Sequence, residues 1–403
     1  MFPSAKSPAS EDRRASPGVS PRRRILRYLK RGAGISHNLG PNWFASVMGT
    51  GIVANATVLL PVRLPGLQSA AVVVWVLATT MLLALIVAAI AQRVFHGENA
   101  RHHHDPAMAP FYGAPPMALM TVGAGALLVG KHVIGLAAGL RLDEILWTAG
   151  TVTGLFTAIA IPYLMFTEHE LDERDVTAAW LLPVVPPMVS ALAGAGLIAH
   201  LPAGQDRLEL LLACLAMFGI SLIASLITIT LLWGRLALHG PGPATKVPAL
   251  WVVLGPLASS ITALALLADV APHAIAAPYA TALAAISVLF GVPVWGFSML
   301  WLALAVVITV RTARDHLPFT LTWWSFTFPV GNLVIATSLL ALRTHAAILT
   351  DSSVALFAML TMAWLTTAAG TARGAWRRRL FLSTSVRPVG DSTEPLRLLG
   401  ETT

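Results

Sequence analysis

Residues 318–342 read PFTLTWWSFTFPVGNLVIATSLLAL. The run holds no Asp, Glu, Lys or Arg and exceeds the roughly 20 apolar residues that a helix needs to cross a hydrocarbon layer about 30 Å thick. It also carries Pro329 and Gly331 in its interior. Proline removes a backbone donor, and lipid has no water to replace the lost bond, so such a break is tolerated only where protein or a water-filled passage covers it. The stretch reads as a transmembrane helix whose interior faces other helices or a pore.

Moving outward, the same window finds earlier spans near 42–61, 68–92, 112–138, 144–166, 178–200, 208–234, 247–269 and 278–310, and a last one near 352–375. The eighth is too long for one straight crossing. The chain is 56% hydrophobic and 11% charged, whereas soluble domains are about one quarter charged. No polar block between the spans is long enough to fold alone. The expected organisation is a basic amino-terminal tail over 1–37, one ten-helix membrane domain over 38–378, and a carboxyl-terminal tail over 379–403.

The formal charge is +8, but the basic residues lie in the tails and short loops and form no nucleic-acid stripe. Counted on alternate sides of the ten spans, 22 Lys and Arg fall on the side of the termini and five on the other. The positive-inside rule therefore puts both termini in the cytoplasm, with the plasma membrane as the expected location. Trp43, Trp180, Trp233, Trp251, Trp323, Trp324 and Trp376 fall near the same helix ends and read as an interfacial belt. Arg22–Arg31 (RRRILRYLKR) reads either as a basic helix lying on anionic headgroups or as a solvated topology signal. The first twenty residues lack the apolar core of a signal peptide. The single Cys214 leaves no disulfide framework and no thiolate metal cluster.

Helix breakers are unevenly distributed. Gly49, Thr50 and Gly51 mark the first span, Pro115 and Pro116 the third, Pro183, Pro186 and Pro187 the fifth, Gly255 and Pro256 the seventh, and Pro329 with Gly331 the ninth. The even spans are smoother, although Gly150, Gly154 and Pro162 in the fourth and Gly291, Pro293 and Gly296 in the eighth weaken the contrast. The alternation predicts five helical hairpins in a ring, each giving a kinked inner helix and a straighter outer one, around a central pore. Any one proline taken alone is more simply a packing kink.

No Asp or Glu falls in the interior of a predicted span, away from its ends, which argues against cation channels and proton-driven pumps. The expected lining is apolar side chains, the hydroxyl of Thr50, the amides of Asn55 and Asn332, and the positive ends of broken helices, all of which suit small anions. Lys131 and His132, near the outer end of the third span, read as an electropositive mouth or as ordinary interfacial anchors. Phe326 and Phe328 flank the break in the ninth span. Phe328, directly before Pro329, is the preferred gate, and the alternative is plain helix packing.

Three blocks in order, Pro41–Gly51 (PNWFASVMGTG), Val253–Pro256 (VLGP) and Pro318–Pro329 (PFTLTWWSFTFP), resemble the tellurite-resistance/dicarboxylate transporter family. The similarity runs from about Gly40 to Leu342. It implies ten helices with pseudo-fivefold symmetry, a homotrimer with one pore per subunit, and occlusion by a phenylalanine on the ninth helix, which falls on Phe328. The family includes malate and other dicarboxylate transporters, sulfite efflux pumps, tellurite-resistance proteins and plant slow anion channels. The resemblance points first to C4-dicarboxylates such as malate and second to sulfite, with no cofactor. The absence of membrane arginines able to clamp two carboxylates weighs against strong dicarboxylate selectivity. The rival class is a membrane metalloenzyme using His102, His103 and His104. Adjacent histidines point in different directions, whereas helical ligands are spaced i, i+3 or i+4, so a solvated loop is the preferred reading.

Overall fold

The computed structural model describes residues 39–63, 65–96 and 102–376. Both tails, the Arg22–Arg31 stretch and Arg101 lie outside the described residues. Ten principal helices follow one another: α1 Phe44–Val58, α2 Leu67–His96, α3 Ala114–Gly125, α4 Leu136–Thr167, α5 Pro186–Ile198, α6 Gln205–His239, α7 Leu254–Val270, α8 Tyr279–Asp315, α9 Phe328–Thr344 and α10 Ala347–Trp376. Among the described residues there is no strand. Eight helical stretches among the described residues are long and apolar enough to cross a membrane, and Pro186–Ile198 is a shorter apolar helix. The chain is an all-α membrane protein. The over-long eighth run is one helix of 37 residues with Pro293 inside it, about 55 Å at 1.5 Å per residue.

The odd-numbered helices are the inner ones. Of the most apolar part of the α7 and α9 stretches, 94% and 89% is buried, against 17% to 28% for α2, α4, α6, α8 and α10. Most exposed large side chains along the helices, such as Val87, Phe156, Ile223, Val307 and Met362, belong to the even helices, where acyl chains would cover them, and Val133, Ile134 and Leu342 lie at the ends of inner stretches. Each inner helix packs on the next: α1 on α3, α3 on α5, α5 on α7, α7 on α9, and α9 back on α1. Each outer helix packs on its hairpin partner and on the following inner helix. Five hairpins thus close into a ring.

The breaks differ from the sequence expectation in where they lie. Every inner α-helix is preceded by a 3-10 segment: Pro41–Trp43, Ala109–Gly113, Ala178–Leu181, Ala244–Val253 and Leu321–Phe326. Pro115, Pro116, Pro186, Pro187, Pro256 and Pro329 sit in the first turn of the α-helix that follows. First-turn amides have no partner within their own helix, so proline costs little there. The expected mid-helix kinks are therefore corrected to 3-10-to-α junctions. The prolines inside α-helices beyond the first turn, Pro162 and Pro293, belong to outer α4 and α8, and Pro248 lies within the 3-10 segment ahead of α7.

Gly49, Thr50 and Gly51 lie within the uninterrupted α1 and break nothing. Glycine here permits close approach. A Cβ at Gly49 would collide with Thr327 and Trp324, one at Gly331 would lie 2.6 Å from Ile52 Cγ1, and one at Gly51 would lie 3.0 Å from Thr121 Cγ2. Gly49 and Gly331 thus form the α1–α9 seam that closes the ring. A Cβ at Gly154 on α4 would lie 2.8 Å from Pro186 Cβ and 3.5 Å from Pro116 Cβ. The glycines of the fourth span make room for the prolines of its inner neighbours.

Indole N–H groups tie outer helices to the next inner one. Trp75 on α2 donates to the Val122 carbonyl of α3 at 3.1 Å, and Trp147 on α4 to the Ser190 carbonyl of α5 at 2.9 Å. Trp295 on α8 donates to Thr337 Oγ1 of α9 at 3.0 Å, and Trp364 on α10 to Thr50 Oγ1 of α1 at 3.2 Å. On α6, Ser221 donates instead to the Val184 carbonyl ahead of α5 at 2.7 Å. The interfacial belt is corrected in part: Trp43, Trp251 and Trp324 are buried, and only Trp233 and Trp376 of that set are broadly exposed. A buried indole needs an acceptor, and Trp251 and Trp324 find Thr309 and Thr371.

The seam yields a paired prediction. Gly331→Ala should lower stability by about 1–3 kcal/mol through overpacking against Ile52. Gly219→Ala, where an added Cβ meets nothing within 4 Å, should raise it by about 0.5–1 kcal/mol through helix propensity. Thermal unfolding of the two variants in detergent gives the sign of each change.

Candidate functional site

Two cavities lie inside the ring, one on each side of a single side chain. The first, about 20 Å³ and enough for one water, is formed where the 3-10 segments meet the inner α-helices. Met48, Met117, Val185, Gly255, Pro256 and Pro329 are among its walls. The second, about 210 Å³, opens among the carboxyl-terminal halves of the inner helices, with Asn55, Thr121, Thr262, Leu266, Asn332 and Ile335 among its walls. Phe328 is the one residue that lines both. It is buried at the first position of α9, where the junction puts its side chain at the level between the two spaces.

The residues singled out from sequence divide into three groups. Gly255, Pro256 and Pro329 line the narrow cavity, Asn55 and Asn332 line the wide one, and Phe328 joins them. A Cβ at Gly255 would meet nothing within 4 Å, so this glycine faces open space. A second group serves packing. Thr50 accepts the Trp364 indole and lines neither cavity. Pro116 and Pro186 face the glycines of α4. Phe326 packs edge-on against Trp251 and Trp323, with ring centroids 5.0 and 5.6 Å apart, and also lines neither cavity. Third, Lys131 and His132 are exposed at the end of the α3 stretch, away from the cavity walls.

The expected source of positive potential also changes. Prolines fill first-turn positions and carry no N–H, and at all five junctions, Trp43, Gly113, Val185, Val253 and Thr327, the residue ahead of the α-helix lies in the right-handed helical region. The breaks are therefore not bare helix ends. The polar character of the wide cavity comes from side chains. Asn55 Oδ1, Thr262 Oγ1, Asn332 Nδ2 and both oxygens of Asp143 are buried with no hydrogen-bond partner, and all four residues line that cavity.

Asp143 corrects the expectation of an acid-free interior. The fourth helix begins at Leu136, eight residues ahead of the predicted start, which brings this carboxylate into the helix and, at 1% exposure, into the cavity wall. Asp269 also lines the cavity and pairs with Arg343, which bonds the Ala265 carbonyl as well. Neither was legible as a site residue, because both fall at span edges where boundaries are least certain. A further feature without a sequence signal is the π turn Ala126–Gly130, which extends α3. The carbonyls of Thr121 and Val122 ahead of it accept N–H groups from Asn55 and Trp75, both at 3.1 Å. A π turn disrupts the i→i−4 ladder, and these side chains satisfy carbonyls there.

The His102–His104 run forms a short 3-10 turn. His104 Nδ1 lies 3.4 Å from Glu168 Oε2, and His169 Nε2 lies 3.2 Å from the His103 carbonyl. Among the described residues no three ligand-type side chains converge to hold a metal.

A ring of five inner helices around two cavities that share one phenylalanine in their walls, the wider one carrying polar groups, is the architecture of a membrane channel or transporter. The family model described as voltage-dependent anion channel, SLAC1, matches residues 38–372, and the chain belongs to that family of anion transporters and channels. An uncharacterised transporter of Methanocaldococcus jannaschii is 26% identical over 76% of this chain and 84% of its own length. The sulfite efflux pump SSU1 of Arthroderma otae is 29% identical over 75% of this chain and 81% of its own. A Schizosaccharomyces pombe protein provisionally named for malic acid transport is 23% identical over 73% and 69%.

The Asp269–Arg343 pair sets the field at the wide cavity. Arg343→Gln leaves the Asp269 carboxylate uncompensated there, so anion flux in vesicles should fall. The deficit should be larger at low than at high ionic strength, because salt screens exposed charge.

Proposed function

We propose that this chain is a channel-like conductor of small oxyanions, with Phe328 as its gate and sulfite as the first substrate to test. The carrying observation is that Phe328 alone lines both cavities. An aromatic ring at that place blocks passage sterically and by dewetting, and moving or removing it joins the two spaces. Among the described residues the wide cavity presents amide, hydroxyl and carboxyl groups and no arginine pair to grip two carboxylates at once, which favours a compact anion over an extended dianion. The similarity to sulfite efflux pumps supports the same order. A C4-dicarboxylate such as malate is the second reading, supported by the fission-yeast relative.

The charge asymmetry of 22 against five supports a plasma-membrane topology with both termini in the cytoplasm. The narrow cavity, at the amino-terminal ends of the inner helices, would then face the cytoplasm. A homotrimer with one pore per subunit is part of the proposal and rests on the family resemblance.

Phe328→Ala should raise basal anion conductance of the reconstituted protein at least several-fold. Phe326→Ala should leave conductance near its original level and lower thermal stability by about 3–5 kcal/mol, the cost of deleting a buried phenylalanine. Equal conductance in both variants, with each present in the membrane, would remove Phe328 from the gate. Competition among sulfite, malate, succinate, nitrate and chloride in one preparation ranks the substrates, and preference for malate over sulfite would reverse the order proposed.

A further inference from the structure

Asp143 is the group that the gate and the anion-selective lining leave unexplained. Its carboxylate is 1% exposed, both oxygens lack a hydrogen-bond partner, and it belongs to the wall of the wide cavity. A Cβ at Gly123 would lie 2.8 Å from Asp143 Oδ1, so the carboxylate occupies space that glycine leaves on α3. Asp143 takes part in none of the ion pairs formed among the described residues. The nearest charged or titratable groups are engaged elsewhere or exposed. Arg141 and Glu144 flank it on α4 and are exposed, as are Lys131 and His132 on the adjoining end of the α3 stretch. His200, beyond α5, is exposed with a ring nitrogen 3.0 Å from the Gly196 carbonyl. On the far walls Asp269 is bound to Arg343. Tyr112, in the Ala109–Gly113 turn, lies toward the other end of antiparallel α4.

A bare carboxylate beside a bare oxyanion in this cavity would repel it, with no fixed cation to offset the two charges. One proton between them replaces the repulsion by a strong O–H···O⁻ hydrogen bond. Asn332 Nδ2 and Thr262 Oγ1, both buried and unpartnered, supply two further donors. We infer that the wide cavity binds an oxyanion together with one proton, held on the Asp143 carboxyl and donated in a hydrogen bond to the anion. The proton arrives from water and leaves to water, so no covalent bond to the substrate forms. This rests on the anion-conducting reading above and gives Asp143 a positioning and charge-balancing role.

The test uses full-length protein in liposomes with potassium and valinomycin clamping the membrane potential at zero, and nitrate as the probe. Nitrate stays ionised at every pH tested, so any proton that accompanies it was carried by the protein. The expected result is nitrate flux that climbs as pH falls from 8 to 5, by at most about tenfold per pH unit for a single proton, with a matching pH change in the lumen. Asp143→Asn, which keeps a donor and loses the titration, should conduct nitrate with a flat pH profile and no proton movement. Asp143→Glu should restore the slope.

Wild-type nitrate flux that is flat with pH would overturn the inference while leaving anion conduction intact. A slope that survives in Asp143→Asn would do the same, as would flux that tracks sodium at constant pH, which would make the carboxylate a cation ligand. Exclusion of nitrate while sulfite or malate passes also counts against it, since the donors suit any compact oxyanion. No flux of nitrate, sulfite or malate would instead sink the conduction reading itself.

Discussion

Every backbone and indole N–H inside this molecule must find an acceptor within the protein, because the surrounding lipid offers none. That constraint organises the fold more tightly than apolar packing, which has little driving force between helices already in hydrocarbon. It puts the inner prolines in first turns, where no donor is missed, and it makes the tryptophans of α2, α4, α8 and α10 donate to the next inner helix. The same rule accounts for the π turn in α3, where Asn55 and Trp75 satisfy carbonyls directly ahead of it.

Against that background the unsatisfied groups stand out. Asn55 Oδ1, Thr262 Oγ1, Asn332 Nδ2 and the Asp143 carboxylate are buried without partners, and all face one cavity. Orphaned buried polar atoms are costly, and their convergence on one cavity is what the proposed anion site rests on. Phe328 bounds that place on one side and the narrow junctional cavity on the other. In the proposed reading conduction and closure share one element, since Phe328, two residues beyond the end of the 3-10 segment, begins α9 and lines both cavities.

The 3-10-to-α junctions give the ring its shape. A 3-10 segment is thinner and rises faster per residue than an α-helix, and residues of three of these segments, Phe111, Val252, Leu321 and Trp324, line the narrow cavity. Glycine acts differently, setting how near two helices come: Gly49 and Gly331 at the closing seam, and Gly150 and Gly154 where α4 receives Pro116 and Pro186. Both residue types look like helix breakers in one dimension, yet only proline marks the junctions.

The sequence by itself determined the solvent, the ten segments, the alternation of inner and outer helices, and the special position of Phe328, because apolar length and the one-dimensional spacing of breakers record them directly. It pointed also to Asn55 and Asn332, as amides that lipid would not tolerate facing outward. Tertiary structure alone decided that Thr50, Pro116, Pro186 and Phe326 serve packing, that Lys131 and His132 stay outside, and that Asp143 comes in. Those assignments depend on which way a side chain turns about its helix and on a start shifted by eight residues, quantities that only contacts between helices fix.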